Sequence, residues 1–181
     1  MVLYHGTIKK YAIDILKNGI DLNKGTELCD FGKGFYTTPN KKFAIRRAKE
    51  RSTVYNGIFN SKESLPAVVI LEIDTEAIEK YLNIKILKLD NKWAGFVANN
   101  RQKHKSKINV KYDNNKDYKY DIVYGPTADG QLENVCNIFE EGNIPKDCYK
   151  KLINKNFKPQ CSFHTKEAIK YIKHLKFFII Q

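Results

Sequence analysis

The sequence predicts an α+β fold with a split sheet, and three observations carry that expectation. Strand-like and helix-like segments are mixed without the strict alternation of a doubly wound parallel fold. The run Pro66–Ala67–Val68–Val69–Ile70–Leu71–Glu72–Ile73–Asp74 is almost continuously apolar, as a strand buried on both faces requires. The chain has 181 residues and no internal repeat or linker composition, which suits a single domain over 1–181 with one proper core.

In chain order, Val2–Leu3–Tyr4–His5 reads as a first strand ended by Gly6. Thr7 is placed to cap a helix over 8–18, in which Ile8, Tyr11, Ala12, Ile15 and Leu16 recur at helical spacing and Gly19 is the C′ residue. A loop over 20–33 leads to a strand at 35–38. Asn40 can cap a helix over about 41–51, and 55–64 reads as a polar loop. The apolar strand at 66–74 is followed by a short helix over 75–82, a strand near 84–89 and a helix over 91–99 carrying Trp93 and Phe96. Residues 101–119 read as a loop or weak ribbon, 120–124 as a strand stopped by Gly125–Pro126, and 132–141 and 146–154 as helices. A strand at 159–164 precedes a helix from Lys166 to about His174, capped by Thr165, and a last strand at 177–180.

The net charge of +12 favours polyanionic partners, although the excess is mostly Lys beside abundant Asn, Ile and Tyr, a pattern that coding bias also produces. Cys29, Cys136, Cys148 and Cys161 contain no Cys-x-x-Cys pair, which argues against a thiolate zinc site and a disulfide framework. His104, His164 and His174 lack a carboxylate or a second His at ligand spacing, so no metal is expected. No apolar run is long enough to span a bilayer, and Met1–His5 lacks the charged and apolar regions of a signal peptide; a cytoplasmic protein is expected.

The stretch Asp30–Phe31–Gly32–Lys33–Gly34–Phe35–Tyr36–Thr37–Thr38 carries the strongest functional signal. Its glycines allow a sharp turn, positive φ and close approach of bare backbone to a ligand. The strand that follows delivers a tyrosine, a ring suited to stacking on a flat ligand. Two other strands carry polar side chains with no evident packing role: His5 in Tyr4–His5–Gly6–Thr7, and Gln160 in the strand before the C-terminal helix.

These blocks resemble, in order and spacing from residue 3 to residue 180, the His–Tyr–Glu signature of the diphtheria-toxin and poly(ADP-ribose)-polymerase type ADP-ribosyltransferases, and a bacterial branch of that superfamily in particular. That family joins a strand ending His-Gly-Ser/Thr, a Gly-x-Gly-aromatic-Tyr strand followed by a helix, and a Glu-bearing strand. The stretch 171–177 also looks like the end of such a catalytic domain, while 52–118 matches no motif. The resemblance implies an ADP-ribosyltransferase-like split β-sheet with flanking helices and a site that takes NAD as substrate. His5 would bond the adenosine ribose, the Gly6 backbone would hold the nicotinamide carboxamide, and Tyr36 would stack on the nicotinamide ring. Thr7, Gly34 and Phe35 would complete the walls of the site. Gln160 takes the place of the Glu that binds the nicotinamide-ribose 2′-hydroxyl. The family's second aromatic, on the helix after the tyrosine, has no match among Ala44, Ile45, Arg46 and Arg47, which implies a looser pocket or an aromatic from elsewhere.

Cleaving the bond to nicotinamide leaves positive charge on the ribose, as in glycoside cleavage. A carboxylate stabilises that cation; a neutral amide offers only a hydrogen bond, worth roughly half as much. Gln160 therefore calls for an auxiliary acid, with Asp121 and Asp129 as candidates and Glu27 and Asp30 behind them. Loss of the Glu also argues against polymer synthesis. The expected function is a mono-ADP-ribosyltransferase acting on a macromolecular acceptor, protein or nucleic acid. In the family this often means a toxin or defence effector, the kind of protein an antitoxin neutralises. The rivals are an NAD glycohydrolase, and a catalytically weak NAD-sensing or nucleic-acid-binding module. The basic run Arg101–Gln102–Lys103–His104–Lys105–Ser106–Lys107 is the candidate for acceptor contact.

Overall fold

A computed structural model of the chain describes residues 1–60, 64–101, 112–128 and 158–181. It is an α+β structure built on two sheets. The three-stranded antiparallel sheet has the order β1 (Val2–Ile8), β3 (Pro66–Ile73), β7 (Ile172–Ile179). The four-stranded sheet has the order β2 (Phe35–Thr37), β6 (Pro159–Phe163), β5 (Ile122–Pro126), β4 (Ile84–Ile86), with β4 and β5 parallel and the other pairs antiparallel. Among the described residues a single bridge, Tyr4 to Thr38, links the two through paired backbone bonds of 2.8 and 2.9 Å.

The period-2 rule explains the layers. Leu3 of β1, Val69, Leu71 and Ile73 of β3, Phe35 of β2, Ile122 of β5 and Cys161 and Phe163 of β6 form one buried cluster between the sheets. α1 (Lys9–Asn18), α3 (Thr75–Tyr81) and the single turn α5 (Lys166–Ile169) close that cluster with Ala12, Ile78 and Ala168. On the opposite face of β3, Val68 meets Ala44 and Ala48 of α2 (Lys41–Ile58). On the opposite face of the four-stranded sheet, Val123 packs under α4 (Asn91–Arg101), every residue of which from Trp93 to Asn100 is buried. Trp93 fixes that helix by donating Nε1–H to the Pro126 carbonyl at 3.0 Å.

Several boundaries depart from the sequence expectation. β1 runs through Gly6 and Thr7 to Ile8, because all seven of its residues pair with β3. Thr7 consequently caps nothing, and α1 starts without a side-chain cap. α2 continues to Ile58 because Tyr55 packs on Tyr11 and Phe59, and Asn56 pins Ser64 by two hydrogen bonds. β5 includes Gly125 and Pro126, which pair with Gln160 and Pro159 on its β6 side. The C-terminal helix is one turn only, and β7 begins at Ile172, since pairing with β3 from Ile73 to Ala67 outweighs the weak helical pattern. Asn40, Asp74 and Thr165 cap α2, α3 and α5 through their side-chain oxygens. The helices expected over 132–141 and 146–154 lie outside the described residues. No helix among the described residues is long and apolar enough to cross a membrane.

Candidate functional site

The site lies beside the Tyr4–Thr38 bridge, where β1 and β2 meet. Two adjoining cavities of about 510 and 190 Å³ share His5, Cys29, Tyr36 and Arg51 in their walls. The larger adds Thr7, Tyr11, Asp14, Thr26, Gly34 and Phe35. The smaller adds Gly6, Asp30, Phe43, Arg47, Arg101 and Gln160. His5, Tyr36 and Gln160 thus converge from three strands, although Gln160 is far from the other two in sequence.

His5 is held by its Nδ1, 2.6 Å from the Tyr36 carbonyl oxygen, and its ring lies 4.4 Å from that of Phe35. A carbonyl only accepts, so Nδ1 carries the proton and Nε2 keeps its lone pair. Burial first and the Arg51 charge second push the His5 pKa down to about 4, against the raising effect of the Tyr36 bond. At neutral pH His5 is an uncharged acceptor.

Tyr36 shapes the glycine loop. Its hydroxyl donates to the Gly32 carbonyl at 2.6 Å and accepts from the Phe31 amide at 2.9 Å. Burial holds that hydroxyl well above the ordinary tyrosine range, so it stays protonated. Gly32 has φ +87°, which favours glycine. The other two glycines of the motifs answer to the protein's own packing: a Cβ on Gly34 would come within 2.7 Å of the His164 ring and the Phe163 carbonyl, and one on Gly6 within 2.2 Å of the Ala44 carbonyl. Gly6 is therefore what lets α2 lie against β1 and bring Phe43, Arg47 and Arg51 over the opening.

Gln160 is buried and donates Nε2–H to Asp30 Oδ2 at 2.7 Å, with the Pro126 carbonyl at 3.5 Å. Asp30 Oδ2 also accepts from the Ala128 amide at 2.9 Å, and Oδ1 pairs with Arg101. Thr7, 1% exposed, has a hydroxyl with no hydrogen-bond partner among the described residues.

Asp121, expected as an auxiliary acid, lies away from both cavities: it accepts from the Asn83 amide at 2.9 Å and the Thr165 hydroxyl at 2.5 Å, clamping the entry to β5 against the start of α5. Asp129 lies outside the described residues, as do 102–107 of the basic run; Arg101, its first residue, turns inward to Asp30. Sequence reasoning underrated Asp30, placing it behind Asp121 and Asp129. It also missed Phe43, on α2 one residue before the positions considered for a second aromatic, and Tyr4 of β1, both of which line the smaller cavity. Among the described residues no group of His, Cys, Asp and Glu side chains is arranged to hold a metal.

The family model described as "Protein of unknown function (DUF3990)" matches residues 1–174, and the chain belongs to that family. No curated protein and no solved structure matches the chain.

Proposed function

We propose that this member of the family is a mono-ADP-ribosyltransferase that cleaves NAD and passes ADP-ribose to a macromolecular acceptor. The observation that supports the reading is the convergence of His5, Tyr36 and Gln160 on one two-part cleft. The larger cavity, about 510 Å³, has the size of a small-molecule site and suits the adenosine half, with neutral His5 and the Thr7 hydroxyl, which has no partner among the described residues, as polar contacts. The smaller, with Gly6, Tyr36, Phe43 and Gln160, suits the nicotinamide and its ribose. Arg51 lies between them, where a pyrophosphate would pass.

In the reaction the bond from ribose C1′ to the nicotinamide nitrogen breaks. Its electron pair goes to the pyridinium, which leaves neutral. The ribose carries the resulting positive charge until an acceptor nucleophile bonds C1′ and gives up its proton. Gln160 accepts a hydrogen bond from the 2′-hydroxyl, and Tyr36 and Phe43 flank the leaving ring.

The test is incubation with NAD labelled in the adenylate and a whole lysate, followed by nuclease or protease. Label lost to one digestion names the acceptor class. Free nicotinamide without labelled macromolecule makes the protein a glycohydrolase. Saturable NAD binding without turnover makes it a sensor, and the absence of both binding and turnover refutes the reading.

A further inference from the structure

We infer that Asp30 is a positioning residue of this site, holding the Gln160 amide so that its oxygen Oε1, and not its nitrogen, is offered to the smaller cavity. What that oxygen is for rests on the reading above; the orientation rests on hydrogen-bond chemistry alone. The Gln160 amide end faces two groups that only accept, the Asp30 carboxylate at 2.7 Å and the Pro126 carbonyl at 3.5 Å. Turned the other way, Oε1 would meet both lone-pair sets with no proton between them. Nε2 is therefore fixed inward, and Oε1 is the end left to accept from a ligand hydroxyl.

Asp30 is itself over-determined. Ala128 donates a backbone amide to it, and Arg101 from the end of α4 balances its charge. It comes from the loop that Tyr36 closes, so the second motif of the site fixes the side chain of the third. Among the described residues Asp30 is the carboxylate lining the smaller cavity. Amide and carboxylate together carry one acceptor towards the cavity and one negative charge behind it. A glutamate in place of Gln160 would not simply improve on this arrangement. It would press a second carboxylate against Asp30, and the two would keep a proton between them.

Three variants decide the matter: Asp30→Asn, Gln160→Glu, and the two combined. In Asp30→Asn, the one remaining oxygen stays with Arg101 at the Oδ1 position, and the new nitrogen takes the Oδ2 position, where the Ala128 amide loses its acceptor and Gln160 must flip and present NH₂ to the cavity. NAD turnover then falls about 10–100-fold, mostly in kcat, the scale seen when an outer carboxylate that orients a functional group is lost. In Gln160→Glu, the shared proton is one that the unfolded chain releases in the ordinary carboxylate range. Its stability relative to wild type therefore drops as pH rises from about 5 to 8. In the double variant, the introduced carboxylate accepts from the introduced amide with no proton to share. The melting temperature therefore regains its wild-type pH dependence, and turnover returns to within a few-fold of wild type or exceeds it. A Gln160→Glu melting deficit that does not change with pH overturns the inference, and so does a double variant no better than its worse parent. If wild type never consumes NAD, the functional reading falls, while the melting curves of the same three variants still decide the orientation.

Discussion

His5 and His164 are under the same physical conditions and have opposite tasks. Each is bonded through Nδ1 to a backbone carbonyl, His5 to Tyr36 at 2.6 Å and His164 to Lys33 at 2.8 Å. Burial pushes each pKa down to about 4. What differs is the other nitrogen. The His164 Nε2 is 2.7 Å from the Ser162 hydroxyl, deep under the glycine loop. The His5 side lines both cavities, beside Arg51. A depressed histidine pKa therefore does not mark a site here; an acceptor nitrogen with no bond among the described residues, on a residue that lines the cleft, does.

The comparison breaks most visibly at His164. It is 4% exposed and fits against the bare Cα of Gly34. His164→Ala leaves a cavity and an unpaired Lys33 carbonyl, while the Ser162 hydroxyl keeps only the Val123 carbonyl at 3.2 Å. We expect a loss of about 2–4 kcal/mol in urea unfolding, from the cavity and the orphaned carbonyl together. His5→Ala, at a half-buried position on the cleft wall, should cost far less stability and instead abolish most of the thermal shift given by NAD. Equal NAD-induced shifts in His5→Ala and wild type would remove His5 from the site.

Acid separates the pair less sharply, because both histidines should titrate alike. An unfolded imidazole takes its proton near pH 6.5, while these two hold out in the fold until about pH 4. Between those values the unfolded chain binds more protons, so stability falls as pH falls from 6.5 towards 4, and is unaffected by either group above that window. His5→Phe and His164→Phe should each remove about one proton from the uptake on unfolding, measured from about pH 5 to 6.5, where most carboxylates are still ionised. A wild-type stability that is flat across this window would mean that neither ring is buried neutral.

The difference between the two histidines was only half legible in the sequence. His-Gly-Thr and Gly-Lys-Gly-Phe-Tyr are contiguous, so His5 and Tyr36 could be nominated from local pattern. The apolar run at 66–74 and the caps at Asn40 and Thr165 were legible for the same reason. The Asp30–Gln160 contact joins residues on different elements across the fold, and no local spacing signals it. Asp121 looked equally suitable by composition, yet pairing of β4 with β5 directs it to Asn83. Gly6 and Gly34 line the cavities, and their missing side chains also make room for Ala44 and His164, a packing demand that the sequence did not signal. Ser162–His164 was invisible as a pair because its meaning depends on the loop that folds over it.

Tyr36 sharpens the comparison at smaller scale, since it touches both histidines' neighbourhoods. Its carbonyl holds His5 and its ring meets the His164 ring edge-on at 6.3 Å. Tyr36→Phe keeps the ring and the carbonyl and deletes a hydroxyl that serves Phe31 and Gly32. The loss should be about 1–2 kcal/mol of stability, because the Phe31 amide is left without its acceptor. NAD affinity should fall less than in Tyr36→Ala, in which stacking is also gone. Isothermal titration of the two variants checks the order, and an equal loss in both would mean that the ring does not stack on the ligand.

The smallest expected effect is the most informative about the cleft, because its sign is unusual. Thr7 is 1% exposed, lines the larger cavity, and its hydroxyl has no partner among the described residues. A buried hydroxyl without a hydrogen bond costs about 1–3 kcal/mol on mutational scales. Valine has the same shape and β-branching, so it fits β1 and its pairing of residue 7 with Ala67. Thr7→Val should therefore leave the ligand-free protein as stable as wild type or more stable, by up to about 1 kcal/mol, whereas most buried substitutions destabilise. If the hydroxyl is kept for a ligand, the same change should weaken NAD binding by several-fold, the worth of one neutral hydrogen bond. The two measurements pull in opposite directions, which a packing defect cannot imitate. A destabilised Thr7→Val with unaltered NAD binding would mean that the hydroxyl has a structural partner, and the larger cavity would lose that polar contact with its ligand.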